Sequence, residues 1–201
     1  MSTPSSDVYR TLAAPASGLY KEKGSKFLGF AYPVSSEEEV KNILSSLRKE
    51  YFDACHHCYA YQLGSNGTQH RANDDGEPNH SAGDPILGQI RSAGLTNVLV
   101  VVVRYFGGIK LGVSGLITAY RTAAAEALKA ATIIDKTEMA TLEILFDYEH
   151  INTVMGLTKE YKLEIKKQDF GVTCRLLVAV RKNLRETVVG KLATLATVNI
   201  L

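Results

Sequence analysis

The stretch Asn97-Val-Leu-Val-Val-Val-Val-Arg-Tyr-Phe-Gly-Gly-Ile-Lys-Leu-Gly-Val-Ser-Gly115 decides how the chain folds. Val98 to Val103 is an unbroken aliphatic run with no polar alternation, which predicts a fully buried strand over Asn97–Val103. Arg104 to Gly115 follows as a turn, with four glycines in nine residues. Beyond it, Leu116 to Ala131 is rich in alanine and predicts a helix. Three- and four-residue spacing puts Thr118, Arg121, Ala125 and Lys129 on its exposed side.

A strand, a glycine-rich loop and a helix in that order can aim backbone N–H groups at an anion, helped by the helix N-terminus. No Gly-Lys-Ser/Thr closes the loop, so it is not a Walker A loop. Its G-x-x-x-G-x-x-G spacing is not the dinucleotide fingerprint either. Arg104 and Lys110 add positive charge, and Tyr105 and Phe106 add stacking surface, a mixture suited to single-stranded nucleic acid. The competing reading is a tight turn that needs positive φ and close packing. Four glycines exceed what a plain turn requires, so a binding role is favoured. Ser114 matches no nucleophile elbow.

Upstream, Asp84-Pro85 reads as an N-cap followed by proline at the first helical position, opening a helix with Ile86, Leu87 and Ile90 on its apolar face and Gly94 at its end. Gly64 to Asp84 is polar and shows no core periodicity, so it reads as a connection of about 20 residues. Connections of that length are functional or disordered. Within it, Asp74, Asp75 and Glu77 put three carboxylates in four residues. These suit a hard cation or acid–base work, against the alternative of a solvated Asp/Gly turn, and the spacing is not that of an EF-hand.

The strand predicted over His57–Leu63 begins at Cys55-His56-His57-Cys58. A redox C-x-x-C needs its first Cys at a helix N-terminus, and here the motif runs into a strand that sends Cys55 and Cys58 to opposite faces. Zinc would need two further ligands, with His70 and His80 as the candidates. The favoured reading is a buried strand start with one His solvated. Ser36 and Glu39 form a capping box for a helix whose stripe is Val40, Ile43, Leu44 and Leu47. Before it, Ser17 to Tyr32 reads as two short strands, and residues 1–16 as a flexible N-terminal arm.

Downstream, Thr132 to Glu138 reads as a junction. Beyond it the pattern is strand (Met139–Phe146), helix (Tyr148–Glu160), strand (Tyr161–Lys167), strand (Val172–Val180), helix (Asn183–Leu195), strand (Thr197–Leu201). That β-α-β-β-α-β order is the ferredoxin-like arrangement. The chain is therefore expected to be α+β, with an N-terminal domain over 17–135 and a C-terminal domain over 136–201.

At 201 residues the length fits about one to two domains. A net charge of +2 excludes binding driven by bulk charge. Residues 1–135 carry 13 basic and 13 acidic side chains, and residues 136–201 carry 10 and 8. The acids of the first part concentrate at 74–84, and no acid lies between Asp84 and Glu126. Three cysteines, no secretory pattern at the N-terminus and no apolar run of about 18 residues predict a cytoplasmic protein with no membrane association.

Several segments together resemble the IMPACT/YigZ family. They are Asp-Ala-Cys-His-His-Cys (53–58), Asp-Asp-Gly-Glu-Pro (74–78), Ala-Gly-x-Pro-Ile-Leu (82–87), Val-Val-Arg-Tyr-Phe-Gly-Gly-Ile-Lys-Leu-Gly (102–112) and Gly-Leu-Ile-Thr-Ala-Tyr (115–120). The resemblance covers residues from about 17 to 131. The chain departs from it at His80-Ser81-Ala82-Gly83, where the family reads G-T-A-G. It departs again at Gly112–Tyr120, where a glycine and a base give way to Ser114 and Thr118, leaving Arg104, Lys110 and Arg121 to supply the charge. The family also has a non-cysteine at Cys55. The resemblance implies an N-terminal domain like ribosomal protein S5 domain 2, as in domain IV of the ribosomal translocase. It implies a C-terminal domain like that translocase's ferredoxin-like domain V. Eukaryotic relatives regulate translation through a stress-responsive initiation kinase.

The expectation is a non-enzymatic, translation-associated regulatory protein that binds RNA or the ribosome, with no cofactor and no metal. Its nucleic-acid or anion site would comprise Arg104, Tyr105, Gly107, Gly108, Lys110, Gly112 and Arg121. The rival is a hydrolase or metal-assisted enzyme acting on a phosphorylated or nucleotide substrate, with His56, His57, Asp75 and Glu77 as candidate catalytic groups. A third reading gives the C-terminal domain a protein partner.

Overall fold

The computed structural model describes residues 7–201. The chain divides into two compact units, one of residues 9–136 and one of residues 137–201 together with residues 7 and 8. Both are mixed α/β.

In the larger unit the elements run β1 (Val8–Leu12), β2 (Ala16–Glu22), β3 (Ser25–Pro33), α1 (Glu37–Glu50), β4 (His56–Leu63), β5 (Gln69–Asn73), α2 (Gly83–Ser92), β6 (Val98–Tyr105), α3 (Gly112–Lys129) and β7 (Ile133–Thr137). Five strands form one sheet in the order β2-β3-β6-β4-β5, while β1 pairs with β7 in a separate ribbon. The aliphatic run is the middle strand β6. Val98 to Val103 are all fully buried because the sheet is covered on both faces. Val98, Val100 and Val102 pack with α2 and α3, while Leu99, Val101 and Val103 pack with Val40, Leu44 and Leu47 of α1. Alternation along one strand thus feeds two cores.

Local signals placed α1 well. The Ser36 side chain accepts from the Glu39 N–H. Glu39 answers by accepting from the N–H and hydroxyl of Ser35, at 2.7 and 2.9 Å, one residue before the cap.

Four expectations are corrected. The arm expected over 1–16 falls partly on residues 1–6, which lie outside the described residues. From Asp7 onward it is ordered structure. Asp7 is buried and takes a two-pronged bond from Arg181, at 2.8 and 3.0 Å. Leu12 is fully buried and Thr11 donates to the Asn97 carbonyl at 3.1 Å. These partners are remote in sequence, so no local pattern announces them. The connection over 64–84 contains β5, an edge strand whose residues are mostly exposed and therefore carry no alternation. The glycine-rich turn ends sooner than expected, because α3 begins at Gly112. The junction after the Ala-rich helix is strand β7.

The smaller unit contains β8 (Met139–Asp147), α4 (Ile151–Glu160), β9 (Glu164–Asp169), β10 (Thr173–Arg181), α5 (Arg185–Leu192) and β11 (Thr197–Ile200). Its sheet runs β11-β8-β10-β9, every neighbour antiparallel. Leu142, Ile144, Leu176 and Val178 pack beneath Val154, Val188 and Leu192 of the two helices.

Candidate functional site

Register brings the sequence motifs together. On β6, Arg104 stands opposite His56 of β4 on one side and Phe27 of β3 on the other. The turn Asp74–Glu77 then folds over this end of the sheet, closed by a 2.9 Å bond from the Glu77 N–H to the Asp74 carbonyl. Both central residues have positive φ, Asp75 at 44° and Gly76 at 87°, as a type I′ turn requires. The His56 ring packs 3.6 Å from where a Gly76 Cβ would stand.

Each carboxylate of this turn has a separate structural task. Asp74 caps α2 from outside it, accepting from the N–H groups of His80, Ala82 and Gly83 at 2.9, 2.9 and 2.8 Å. Burial raises its pKa, but these three bonds outweigh burial and hold it below the usual carboxylate range. The cap expected at Asp84 is thus corrected. Asp84 pairs with the exposed His80 ring at 2.6 Å and raises its pKa. Asp75 accepts from Arg48 at 2.6 Å and from the His57 N–H at 2.7 Å, so its carboxylate faces α1. Glu77 is buried and accepts from Arg104 at 2.5 Å and from the Tyr120 hydroxyl at 2.7 Å.

The expected convergence is partial. His56, Glu77, Arg104, Lys110 and Gly112 line one pocket of about 480 Å³, with Phe106, Leu111, Val113 and Leu116 supplying apolar walls. His57 points to the other face of the sheet, is buried, and has its pKa lowered by that burial. Tyr105 donates to Asp53 at 2.8 Å and packs on the α1 side. Asp75 and Arg121 do not line the pocket. Gly107 serves packing: a Cβ there would sit 2.0 Å from the Gly24 carbonyl carbon. Gly108, at φ 88°, and Gly112, at φ 73°, need the left-handed region. The Arg104 guanidinium lies 5.5 Å from the Phe27 ring centroid and 5.7 Å from that of Phe106.

Sequence reasoning missed Tyr120 as a member of this group. It is fully buried on α3, and burial pushes its phenol far above its ordinary pKa. Its one signal was a polar aromatic on the apolar stripe of the helix. Cys58 is buried, donates to the Asp74 carbonyl at 3.0 Å, and has its thiol pKa pushed up chiefly by burial, whereas Cys55 is exposed at the pocket. Neither is a helix-borne redox thiol. Among the described residues no group of three or more His, Cys, Asp or Glu side chains is placed to hold a metal ion.

Chemically, the pocket offers one exposed cation in Lys110, a guanidinium already shared with Glu77, and an exposed ring in Phe106. It also offers the open N-terminus of α3, which no side chain caps. His56 adds a ring nitrogen. Its Nδ1 lies 2.8 Å from the Asp75 carbonyl, which can only accept, so Nδ1 carries a proton; Nε2 is 3.9 Å from Glu77.

Residues 23–128 match the family model of the Impact N-terminal domain. The IMPACT family member YvyE of Bacillus subtilis (strain 168) is 34% identical over 143 residues, which is 71% of this chain and 66% of that protein. The IMPACT family member YigZ of Escherichia coli (strain K12) is 33% identical over 170 residues, 84% of this chain and 83% of the relative. A crystal structure described as that of a hypothetical protein superposes with a TM-score of 0.72 at 31% identity, covering 93% of this chain and 92% of the other. No helix among the described residues is long and apolar enough to cross a membrane.

Proposed function

The chain belongs to the IMPACT family, and from that premise we propose that it is a cytoplasmic, translation-associated regulatory protein. In this reading its larger unit is an S5 domain 2-like domain and its smaller unit a ferredoxin-like one, available to a protein partner. It binds RNA, free or within the ribosome, and does no chemistry on it. The strand order β11-β8-β10-β9 supports the second assignment. The family resemblance supports the first, and with it the translational setting.

One observation carries the binding reading: Lys110, Phe106 and the open N-terminus of α3 meet in a single pocket. Lys110 supplies charge for a phosphate, Phe106 a ring for one unstacked base, and the helix end unpaired N–H groups. Arg104 acts from behind as a fixed wall, because Glu77 already takes its charge. Arg121, Tyr105, Gly107 and Gly108 do not line the pocket, so of the expected set Lys110 and Gly112 remain on the Arg104 wall, and Phe106 joins them. A salt titration of single-stranded RNA binding tests this. Lys110→Ala should weaken affinity several-fold and reduce the salt slope by about 0.7, the value for one phosphate contact on a single strand. Phe106→Ala should weaken it at all salt concentrations. An affinity indifferent to both substitutions overturns the reading.

A second reading, a hydrolase acting on a phosphorylated or nucleotide substrate, is favoured by one detail. His56 and Glu77 are the two members of the catalytic set that share the pocket. It requires phosphate release from a nucleotide that His56→Gln abolishes, and the binding reading requires no such turnover.

A further inference from the structure

On the opposite face of the five-stranded sheet, where α1 passes beside β5, lies a cleft of about 560 Å³. It is distinct from the glycine-loop pocket. Leu44 and Tyr59 beneath it belong to the core on the α1 side, whereas Leu116 of the other pocket belongs to the core on the α3 side. Four cations line the cleft, Lys41, Arg48 and Lys49 from α1 and Arg71 from β5, against one carboxylate, Asp75. That carboxylate is committed to Arg48 and to the His57 N–H. Among the described residues Lys41, Lys49 and Arg71 make no ion pair. Glu37 also feels the charges of Lys41 and Arg71, but its carboxylate is held by the Tyr61 hydroxyl at 2.6 Å and the Gln69 amide at 3.0 Å. In a chain whose residues 1–135 balance to zero, this is a local excess of positive charge on a concave surface.

We propose that this cleft is a second RNA-binding site, one that grips the phosphodiester backbone and reads no base. Lys41 and Arg48 are seven residues apart on one helix, about 10 Å at 1.5 Å per residue. The ridge of α1 is thus long enough to meet more than one phosphate of a strand, while Arg71 faces it from β5. The guanidinium fork of Arg71 matches phosphate oxygens, Arg48 stays shared with Asp75, and Ser45 and Asn73 supply neutral donors at the same wall. The aromatic residue present, Tyr59, is only 8% exposed, so no ring is offered for stacking. Phe106 at the glycine loop, by contrast, is 49% exposed. Recognition through the backbone alone is therefore indifferent to sequence, unlike stacking of an unpaired base.

The test is binding of labelled 20-nucleotide oligouridylate and a mixed-sequence RNA of equal length, by fluorescence anisotropy at two salt concentrations. The intact chain is compared with the triple variant Lys41→Glu, Lys49→Glu, Arg71→Glu and, separately, with Lys110→Ala. The triple variant should lose at least tenfold in affinity for both RNAs alike, with a salt slope reduced by about 2, from three contacts of about 0.7 each. Its urea midpoint should fall only modestly, because all three residues are exposed and charge reversal on α1 costs little per site. Unchanged affinity and slope in the folded triple variant overturn the proposal, and so does competition by polyglutamate or by anionic phosphatidylserine vesicles as strong as that by RNA at equal charge. The two sites fail separately. Loss in Lys110→Ala alone leaves only the glycine-loop reading standing, and loss in the triple variant alone leaves only this one.

Discussion

The turn at Asp74–Glu77 and the loop at Phe106–Leu111 meet at one pocket and are built on opposite terms. In the turn every charged side chain is bound to protein: Asp74 to three N–H groups, Asp75 to Arg48, Glu77 to Arg104 and Tyr120. In the loop the side chains are left to solvent, with Phe106 and Ile109 about half exposed. Three carboxylates in four residues look like chemistry, and each of them is bonded within the protein. The flexible-looking glycine segment holds the groups a ligand can reach. A polar residue is available for function to the extent that the fold has left it unpaired, and spacing in sequence does not report that.

Substitutions that keep the backbone but remove one partner break this contrast where it is strongest. Glu77→Ala leaves the Arg104 guanidinium, 8% exposed, without its counter-charge. Removing one member of a buried pair costs about 3–5 kcal/mol, so the urea midpoint should fall steeply, and replacing Arg104 as well by Met should recover part of the loss. Gly107→Ala comes next. Its Cβ meets backbone of Gly24 and Ser25 rather than a movable side chain, and overpacking of that kind costs about 1–3 kcal/mol, again read from the urea midpoint.

Asp74→Ala removes a cap that serves three N–H groups, worth about 1–2 kcal/mol by analogy with N-cap deletions. Because the folded carboxyl titrates below its unfolded value, the contribution is complete above the unfolded pKa near 3.9 and disappears as pH falls through the folded pKa. The difference between the parent and variant midpoints should be full at pH 7 and shrink as pH falls below about 3.9. The smallest effect belongs to the loop. Lys110→Ala should change stability by no more than about 0.5 kcal/mol, as exposed positions do, while altering ligand binding. A stability loss as large as that of Glu77→Ala would put Lys110 among the groups bonded within the protein and erase the distinction.

Legibility followed the same division. The buried strand, the α1 capping box and the strand–helix rhythm after residue 138 could be read directly, because each rests on periodicity or on a contact within four residues. The site was legible only as a list of polar residues. Arg104 looked like a free cation because Glu77 is 27 residues away in sequence, and Asp84 looked like a helix cap because Asp74, which holds that end of α2, lies ten residues earlier. His56 and His57, adjacent in the chain, are separated by the sheet itself.

By itself, the sequence determined a two-part α/β chain with a central aliphatic strand and a family signature around the glycine loop. Burial patterns and caps act over a few residues, and family motifs are strings. Only the tertiary structure decided which charges are spent and which are free. Pairing between remote strands chose that His56 and Glu77 share a pocket while His57 and Asp75 turn toward α1. It also gathered Lys41, Arg48, Lys49 and Arg71 around a cleft that no stretch of sequence displays. Long-range pairing sets distance and burial, and those set whether a charge is bound by protein or left for a ligand.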